Sequence, residues 1–438
     1  MLRLLPAVLL FFGTCADSPT NNADAASMAG PTQGVQADTL DIESWRNYGE
    51  VRLGEPMRSR LIAEDTLWER ALAIHYDTIV LDGHIDTPSL MLSRGYQLGT
   101  RHRSDHVDLP RMVEGGLDGG FFAIYVARSY GEGAAAEQRA IAMISELRRQ
   151  VEQLDGAQMA VTAEDVRQIT RSGRRAILMG LEGGHALRGS TETLQRLAAE
   201  GIRYVTLTHN NTNSWADSSQ DQPRWNGVNQ LGENLIREMN RLGVLVDVSH
   251  VSDDTVRDAI RISSAPIIAS HSTARALVNN VRNLPDDLIR GIASTGGVVM
   301  INFFDPTVNS GLTEEVMAAA YRRVERNHGG DLRMIWSAVF AEQQARGIGR
   351  GSVSDIVDHI EHVIRVAGVE HVGLGSDFDG VGALPVGMED TVRLPFITYE
   401  LLRRGHSEVD VRRVLGGNTL RVLERAEEVS REMQRTAN

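Results

Sequence analysis

The sequence predicts an α/β protein of the (β/α)8 class, the TIM barrel, and three observations support this. Eight short runs are rich in Val, Ile, Leu and Phe, which is typical of buried strands. Amphipathic helical stretches separate most of these runs, and such alternation indicates βαβ units around a parallel sheet. Polar residues follow the runs, as at the C-terminal mouth of a barrel. Eight strands in one domain therefore favour a barrel over other α/β folds.

The predicted elements follow one another regularly until the seventh strand. In chain order, the strands are predicted over Thr78–Asp82, Gly120–Val126, Ala176–Leu181, Arg203–Thr208, Val244–Val248, Pro266–Ala269, Gly297–Asn302 and Val372–Gly375. Helices are predicted between strands, for example over Thr191–Glu200, Gly232–Leu242, Ser252–Arg261 and Asp286–Ser294. Between the seventh and eighth strands, residues 305–370 carry helical patterns over Met317–Arg326, Asp331–Arg346 and Val353–Val366. We expect this helical insertion to cover the mouth of the barrel, as a lid or a dimer surface.

The N-terminal residues have the features of an export signal. Residues 1–16 contain a basic Arg3, an apolar stretch and a small-residue end, which is typical of a signal peptide. Either the chain is cleaved after Ala16, or Cys15 is lipidated within an imperfect bacterial lipobox. Residues 17–64 are predicted to be a flexible tether and lead-in, residues 65–425 the barrel domain, and residues 426–438 a charged tail. The protein is therefore expected in the periplasm or cell envelope, or secreted.

Composition excludes several kinds of chemistry. The formal net charge of −13 argues against nucleic acid as a partner, because phosphate binding needs a basic surface. Cys15 is the only cysteine, so disulfides and thiolate zinc sites within the fold are excluded. The chain has no lysine, which excludes Schiff-base chemistry and a phosphate-binding lysine. Catalysis must therefore use His, Asp, Glu, Ser, Tyr or Arg, with or without metal.

Candidate metal ligands follow the predicted strands. The first strand leads to His84 and Asp86, the third to Glu182, the fourth, fifth and sixth to His209, His250 and His271, and the eighth to Asp377. His84 and Asp86 are two residues apart, and such residues in an extended strand point to the same side. Histidines at three consecutive strand ends, with carboxylates at others, indicate one convergent site rather than scattered structural residues.

This set of nitrogen and oxygen donors predicts a metal centre with two ions. Histidine and carboxylate ligands suit divalent ions, and Zn²⁺ suits this mixture best. The set exceeds what one tetrahedral catalytic zinc uses, so two ions that share one carboxylate fit the count better. Glu182 is the central carboxylate of the ring and is therefore the predicted bridge.

Seven motifs carry a family resemblance. They are DGHIDTP, LEGGHAL, LTHNNTNSWADS, VDVSHVS, SHSTARAL, VRNLPDD and VGLGSDFDG. In this order and spacing they resemble the membrane (renal-type) dipeptidases, peptidase family M19, a branch of the amidohydrolase-like metal-dependent barrels. The resemblance covers roughly residues 65–425 and implies a homodimeric, zinc-dependent hydrolase of dipeptides.

The resemblance also implies which residues bind the metals. His84 and Asp86 would bind the first zinc ion, and His250 and His271 would bind the second. Glu182 would bridge the two ions, in agreement with the spacing argument. Such a pair of ions lowers the pKa of a bridging water and polarises the scissile carbonyl.

Three further residues are implied to act on the substrate or on protons. Asp377 would orient or deprotonate the water and then pass a proton to the leaving amine. His209 would stabilise the oxyanion of the tetrahedral intermediate. Arg282 would bind the terminal carboxylate of the dipeptide through paired hydrogen bonds.

Two alternatives stay open from the sequence. A two-metal barrel hydrolase of another amide, lactam, lactone or ester would use the same ligands, although Arg282 favours a substrate with a carboxylate. A non-catalytic exported binding protein would not need the five ligands together with His209 and Asp377. One departure from the family pattern is Gly120, which stands where Gln is frequent and predicts a roomier pocket.

Overall fold

The computed structural model describes residues 61–437 and confirms the predicted barrel. The strands are β1 (Leu81–Ile85), β2 (Gly119–Tyr125), β3 (Ala157–Met159), β4 (Arg175–Glu182), β5 (Ile202–Thr206), β6 (Leu245–Asp247), β7 (Ile267–Ser272), β8 (Val298–Ile301) and β9 (Val372–Leu374). Their order is β2-β1-β9-β8-β7-β6-β5-β4-β3, and a further pairing of β2 with β4 closes eight of them into a ring. All the pairings between these strands are parallel, so their C-terminal ends meet at one mouth.

The strand β3 lies outside the ring and was not predicted. It pairs only with the beginning of β4, where Ala157 lies opposite Arg175. It is three residues long and has one exposed position, Gln158. A strand this short has no apolar run or alternation that sequence analysis can detect.

The strand β1 begins three residues later than predicted and runs through the first ligand motif. All five of its residues are buried, including Asp82 and His84. Asp82 can be buried because its Oδ1 accepts hydrogen bonds from the backbone N–H groups of His84 (3.0 Å) and Ser376 (2.9 Å). The polar residues therefore continue the strand rather than ending it.

Helices surround the barrel and form the insertion over its mouth. From residue 67 onward they are α1 (Leu67–Tyr76), α2 (Thr87–Arg94), α3 (Leu109–Glu114), α4 (Ala134–Glu152), α5 (Ala163–Arg171), α6 (Thr191–Ala199), α7 (Gln230–Leu242), α8 (Asp253–Ile262), α9 (Asp286–Ser294), α10 (Asp305–Val308), α11 (Glu314–His328), α12 (Ile335–Arg346), α13 (Val353–Ala367), α14 (Pro395–Arg403), α15 (Glu408–Arg412) and α16 (Asn418–Ala437). The helical insertion between β8 and β9 is thus confirmed, with α10 to α13 inside it. The final helix α16 includes residues 426–437, which the sequence analysis assigns to a charged tail.

Large side chains fill the barrel interior beneath the mouth. Phe121 and Tyr204 are fully buried, with their ring centroids 5.1 Å apart. Gly180 of β4 makes room for the second ring, because a Cβ at this glycine would lie 2.0 Å from Cζ of Tyr204. A Cβ at Gly120 would lie 2.8 Å from the backbone oxygen of Asp82, so this glycine packs against β1. The roomier pocket expected from Gly120 stays a prediction.

The N-terminal predictions lie outside the described residues. These are the signal peptide of residues 1–16, lipidation at Cys15 and the tether up to residue 60. Among residues 61–437, no helix has the length and apolar character needed to cross a membrane.

Candidate metal centre

The barrel brings all the predicted ligands to one place at its mouth. His84 lies near the end of β1, Glu182 ends β4 and His271 lies within β7. Asp86 and His250 come one and three residues after the ends of β1 and β6. All five are buried, with at most 8% of the residue surface exposed.

Glu182 lies between two groups of ligand atoms. Its Oε2 is 3.5 Å from Nε2 of His84, which in turn is 3.2 Å from Oδ2 of Asp86. Its Oε1 is 3.2 Å from Nε2 of His250 and 3.5 Å from Nε2 of His271. Oε2 therefore faces His84, which contacts Asp86, while Oε1 faces His250 and His271, in agreement with the pairs that the resemblance assigns to two metal ions.

The hydrogen bonds of the two later histidines make them suitable for a cation. Nδ1 of His250 must donate to Oδ1 of Asn210 (2.7 Å), since an amide oxygen only accepts. Nδ1 of His271 contacts the hydroxyl of Ser270 at 2.8 Å. The Nε2 atoms of the two rings lie 2.8 Å apart. If both rings are protonated on Nδ1, two lone pairs face each other, and a bound cation would remove this repulsion.

Buried atoms without partners also point to a missing cation. Within residues 61–437, Oδ1 of Asp86 has no hydrogen-bond partner, and Nε2 of His84 has only its ion-pair contacts with Asp86 (3.2 Å) and Glu182 (3.5 Å). Buried polar groups are normally satisfied, and a divalent ion would satisfy both atoms. The donor set of imidazole nitrogens and carboxylate oxygens fits zinc or a related divalent metal.

The electrostatics of the cluster differ between its two sides. Burial alone would lower the pKa of His84, but Tyr204, Glu182 and Asp86 around it raise that pKa well above its ordinary value. Burial lowers the pKa of His271 well below its ordinary value, and the charge of His84 adds to this effect. The pKa of His250 is lowered in the same way, by burial and then by Arg282. The carboxylate side therefore attracts positive charge, while the later histidines stay neutral and can act as ligands.

His209 and Arg282 lie beside the cluster. A ring nitrogen of His209 is within 4.8 Å of the ligand atoms of Glu182 and His250, and its ring packs edge-on against Tyr125 with centroids 4.8 Å apart. Burial, followed by the charge of Arg282, lowers the pKa of His209 well below its ordinary value. Arg282 is 5% exposed and donates from Nη2 to the backbone oxygen of His271 (3.4 Å). The described chain places no carboxylate within ion-pair distance of Arg282, so this buried cation has capacity for an anionic ligand.

Asp377 follows β9 and faces the first ligand pair. One of its carboxylate oxygens lies within 4.8 Å of the ligand atoms of His84 and Asp86. Its Oδ2 accepts from Nδ2 of Asn302 (2.9 Å), and burial raises its pKa to about 6. A carboxyl group with this pKa can exchange a proton near neutral pH.

Backbone conformation is unusual at this mouth. His250, Asp377 and Asp379 have positive φ angles of 68°, 64° and 67°. Non-glycine residues rarely adopt this left-handed conformation, and it often marks functional sites. Here it turns the chain sharply after β6 and β9, and thereby aims His250 and Asp377 into the cluster.

The family model for membrane dipeptidase (peptidase family M19) matches residues 68–437. The chain belongs to the membrane dipeptidase family. Dipeptidase verJ of Clonostachys rogersoniana is 33% identical over 401 residues, which cover 87% of this chain and 92% of that protein. Dipeptidase tcpJ of Claviceps purpurea (strain 20.1) is 34% identical over 340 residues, which cover 76% of this chain and 72% of that protein.

Solved structures of dipeptidases share the fold. The probable dipeptidase PvdM from Pseudomonas aeruginosa has a TM-score of 0.74 at 25% identity and covers 83% of this chain and 99% of its own. A metallo peptidase from Rhodobacter sphaeroides, liganded with a phosphinate mimic of the dipeptide L-Ala-D-Ala, has a TM-score of 0.64 at 26% identity. The alignment with this second protein covers 80% of the present chain and 99% of that chain. The predicted family is thus confirmed, and the chain is a metal-dependent, dipeptidase-like hydrolase.

The residues that hold the proposed ligands of this dipeptidase-like site in place were not predicted from the sequence. The hydroxyl of Tyr204 contacts Nδ1 of His84 at 2.7 Å, and Asn210 and Ser270 contact the other two histidines. Asn302 bonds to Asp377. Only Ser270 neighbours its histidine in the sequence, and the other partners lie on different strands or loops. The sequence offered no spacing signal for them.

Proposed function

We propose that this chain hydrolyses dipeptides with a free C-terminal carboxylate, using two zinc ions. His84 and Asp86 would hold one ion, His250 and His271 the other, and Glu182 would lie between them. The ligand distances around the two oxygens of Glu182 support this division. When bound, zinc supplies Lewis-acid polarisation of the scissile carbonyl and acidifies a water molecule.

The buried charge of Arg282 is the observation that supports a substrate with a free carboxylate. It lies against the backbone of a proposed ligand, His271, and burial lowers its pKa only to about 10. The guanidinium therefore stays charged at neutral pH and can pair with a carboxylate through two hydrogen bonds. A carboxylate held this close to the metal ligands places the reacting bond near the end of the substrate, which favours dipeptides over longer chains. The Rhodobacter sphaeroides relative, solved with a dipeptide mimic, adds support.

His209 and Asp377 would stabilise the oxyanion and transfer the protons. Neutral His209 can donate an N–H to the carbonyl oxygen as negative charge develops on it. Asp377, with a pKa of about 6, can accept a proton from the attacking water and return it to the leaving amine. Asn302 holds the carboxylate of Asp377 in position for both steps.

The test combines metal analysis with a substrate panel. Purified protein should contain about two equivalents of zinc and should lose dipeptide hydrolysis on chelation, with recovery when zinc is restored. The panel should include dipeptides, dipeptide amides, lactams, lactones and esters. Active protein with less than one equivalent of metal would contradict the two-zinc proposal. Turnover of a lactam or ester well above that of every dipeptide would contradict the substrate class.

A further inference from the structure

A buried carboxylate behind the metal centre joins three barrel strands. Asp247, the last residue of β6, accepts at Oδ1 from the backbone N–H groups of Ser249 (3.1 Å) and Ser270 (2.8 Å). Its Oδ2 accepts from the hydroxyls of Thr206 (2.5 Å) and Ser270 (2.7 Å). The ends of β5, β6 and β7 are thereby held together. Each oxygen accepts twice, which a carboxylate does fully and a protonated acid does not.

These bonds determine the direction of the next hydrogen bond. The hydroxyl of Ser270 has a single hydrogen. Its nearest acceptor is the charged Oδ2 of Asp247 at 2.7 Å, while Oγ of Ser249 is 3.4 Å away, so the hydrogen is donated to Asp247. The same hydroxyl oxygen lies 2.8 Å from Nδ1 of His271 and can only accept there. Nδ1 of His271 must therefore carry the ring proton, and Nε2 keeps its lone pair toward Glu182, 3.5 Å away.

We infer that Asp247, acting through Ser270, is a positioning residue that sets the tautomer of His271 for metal binding. This inference rests on the proposed metal ligation by His271. A metal-binding histidine usually donates its second nitrogen to a carboxylate or carbonyl, which fixes both tautomer and ring orientation. Here a serine hydroxyl transmits that effect from a carboxylate on the neighbouring strand.

The isosteric substitution Asp247→Asn is expected to reverse the hydrogen bond between Ser270 and His271. Two backbone N–H groups face the Oδ1 position, and they can only donate, so the amide oxygen must remain on that side. The amide nitrogen then faces Thr206 and Ser270 and donates to the hydroxyl of Ser270. That hydroxyl turns its hydrogen toward Nδ1 of His271, which places the ring proton on Nε2. The nitrogen that should bind metal would be blocked.

Zinc affinity, measured by chelator competition on the full chain, tests this order of effects. Ser270→Ala removes the constraint on the ring and should weaken the affected zinc site about 10- to 100-fold. Asp247→Asn should weaken it more than Ser270→Ala does, because it favours the wrong tautomer. The double variant Asp247→Asn/Ser270→Ala should regain affinity, to the level of Ser270→Ala alone.

The matched control is Ser249→Ala. Ser249 is equally buried, and its hydroxyl accepts from the backbone N–H of His271 (3.0 Å) without contacting the ring. It lies 3.4 Å from the Ser270 hydroxyl, which donates to the nearer Asp247 instead, so removing it leaves the relay in place. Its loss should leave zinc affinity close to that of the unmodified protein. A second readout is the tautomer itself, observed by NMR of metal-free protein with isotope-labelled histidine. His271 should carry its proton on Nδ1 in the unmodified protein and on Nε2 in Asp247→Asn.

The outcomes separate this inference from the proposed function. If His271→Ala keeps both zinc ions, the proposed ligation is wrong. If His271→Ala loses zinc but Asp247→Asn binds it as the unmodified protein does, the relay through Ser270 is wrong. A double variant that binds zinc no better than Asp247→Asn would also overturn the relay, since a purely structural role predicts no rescue.

Discussion

Arg282 is a buried cation whose described neighbours offer a backbone oxygen but no ion-pair partner. We expect Arg282→Met to lower kcat/KM for dipeptides by roughly 30- to 1000-fold, because the lost carboxylate contact is worth about 2–4 kcal/mol when shielded from water. Metal content should not change. Dipeptide amides lack the carboxylate, so they should be poor substrates of the unmodified protein and lose much less in the variant. An equal loss for acid and amide would mean that Arg282 is structural.

Glu182 is the carboxylate whose two oxygens face different ligand pairs. Glu182→Gln should therefore lose more metal and more activity than His250→Ala or His271→Ala, each of which removes a ligand from one side only. A neutral amide compensates less charge, so two bound cations would repel each other more strongly. Metal content and turnover of the three variants, measured side by side, check the expectation. Two ions and normal turnover in Glu182→Gln would rule out the bridge.

At the residue scale, the proposed metal ligands could be predicted from the sequence, but the residues that hold those ligands in place could not. Strand ends in a parallel barrel converge, so His84, Glu182 and His271 could be grouped without a structure. Tyr204 and Asp247 look like ordinary strand residues. Their partners are set by register between strands and by side-chain direction, which one sequence does not reveal.

At the scale of elements, eight strands and the helical insertion were predictable because apolar runs and helical periodicity are local signals. Helix α9 was predicted with its observed bounds, Asp286–Ser294. The insertion also has a core of its own, in which Val316 and Met317 of α11 pack with Ile335 and Val339 of α12 and with Val278 of the loop after β7. That loop leads to Arg282, so the insertion braces the backbone near the proposed carboxylate site.

A buried histidine links α1 to α14. His75 of α1 donates from Nε2 to the backbone oxygen of Gly115 (2.9 Å), and its Nδ1 accepts from the hydroxyl of Thr398 in α14 (2.7 Å). Burial lowers its pKa to about 4, against an ordinary value of 6.5. Between these pH values the unfolded chain binds the extra proton, so the stability due to neutral His75 is present above pH 6.5 and is lost toward pH 4.

Denaturant unfolding at two pH values tests this contribution. At pH ~7.5, His75→Gln should lower the free energy of unfolding by about 1–3 kcal/mol through lost hydrogen bonds. At pH ~5 this difference in free energy of unfolding should be smaller by about 2 kcal/mol, because the unmodified protein loses the stability due to neutral His75 as the pH falls. His328→Gln, at an exposed position of α11, is the control and should change neither value. A deficit that grows on acidification would contradict the assignment.

At the scale of the whole molecule, the described barrel accounts for the family match and the metal centre. The homodimer implied by the resemblance and the place of the protein in the cell stay predictions. The barrel domain is preceded by residues 17 to about 40, whose Ser, Thr, Asn, Ala, Gly and Pro content is typical of a tether. A tether suits an enzyme attached to a membrane surface, because it lets the barrel mouth reach substrates in the surrounding solution.

We propose that export removes the N-terminus, either by lipidation at Cys15 or by cleavage after Ala16. The two routes predict different mature chains, because lipidation adds acyl groups to a new N-terminal cysteine and cleavage leaves a plain N-terminus. Mass spectrometry of membrane and soluble fractions distinguishes them, and an intact Met1 would refute both. Acyl chains anchor a protein to a membrane because each buried methylene group contributes about 0.8 kcal/mol to binding. Cys15→Ala should therefore move the protein from the membrane to the soluble fraction if Cys15 is lipidated, and should leave its distribution unchanged if cleavage after Ala16 is the route.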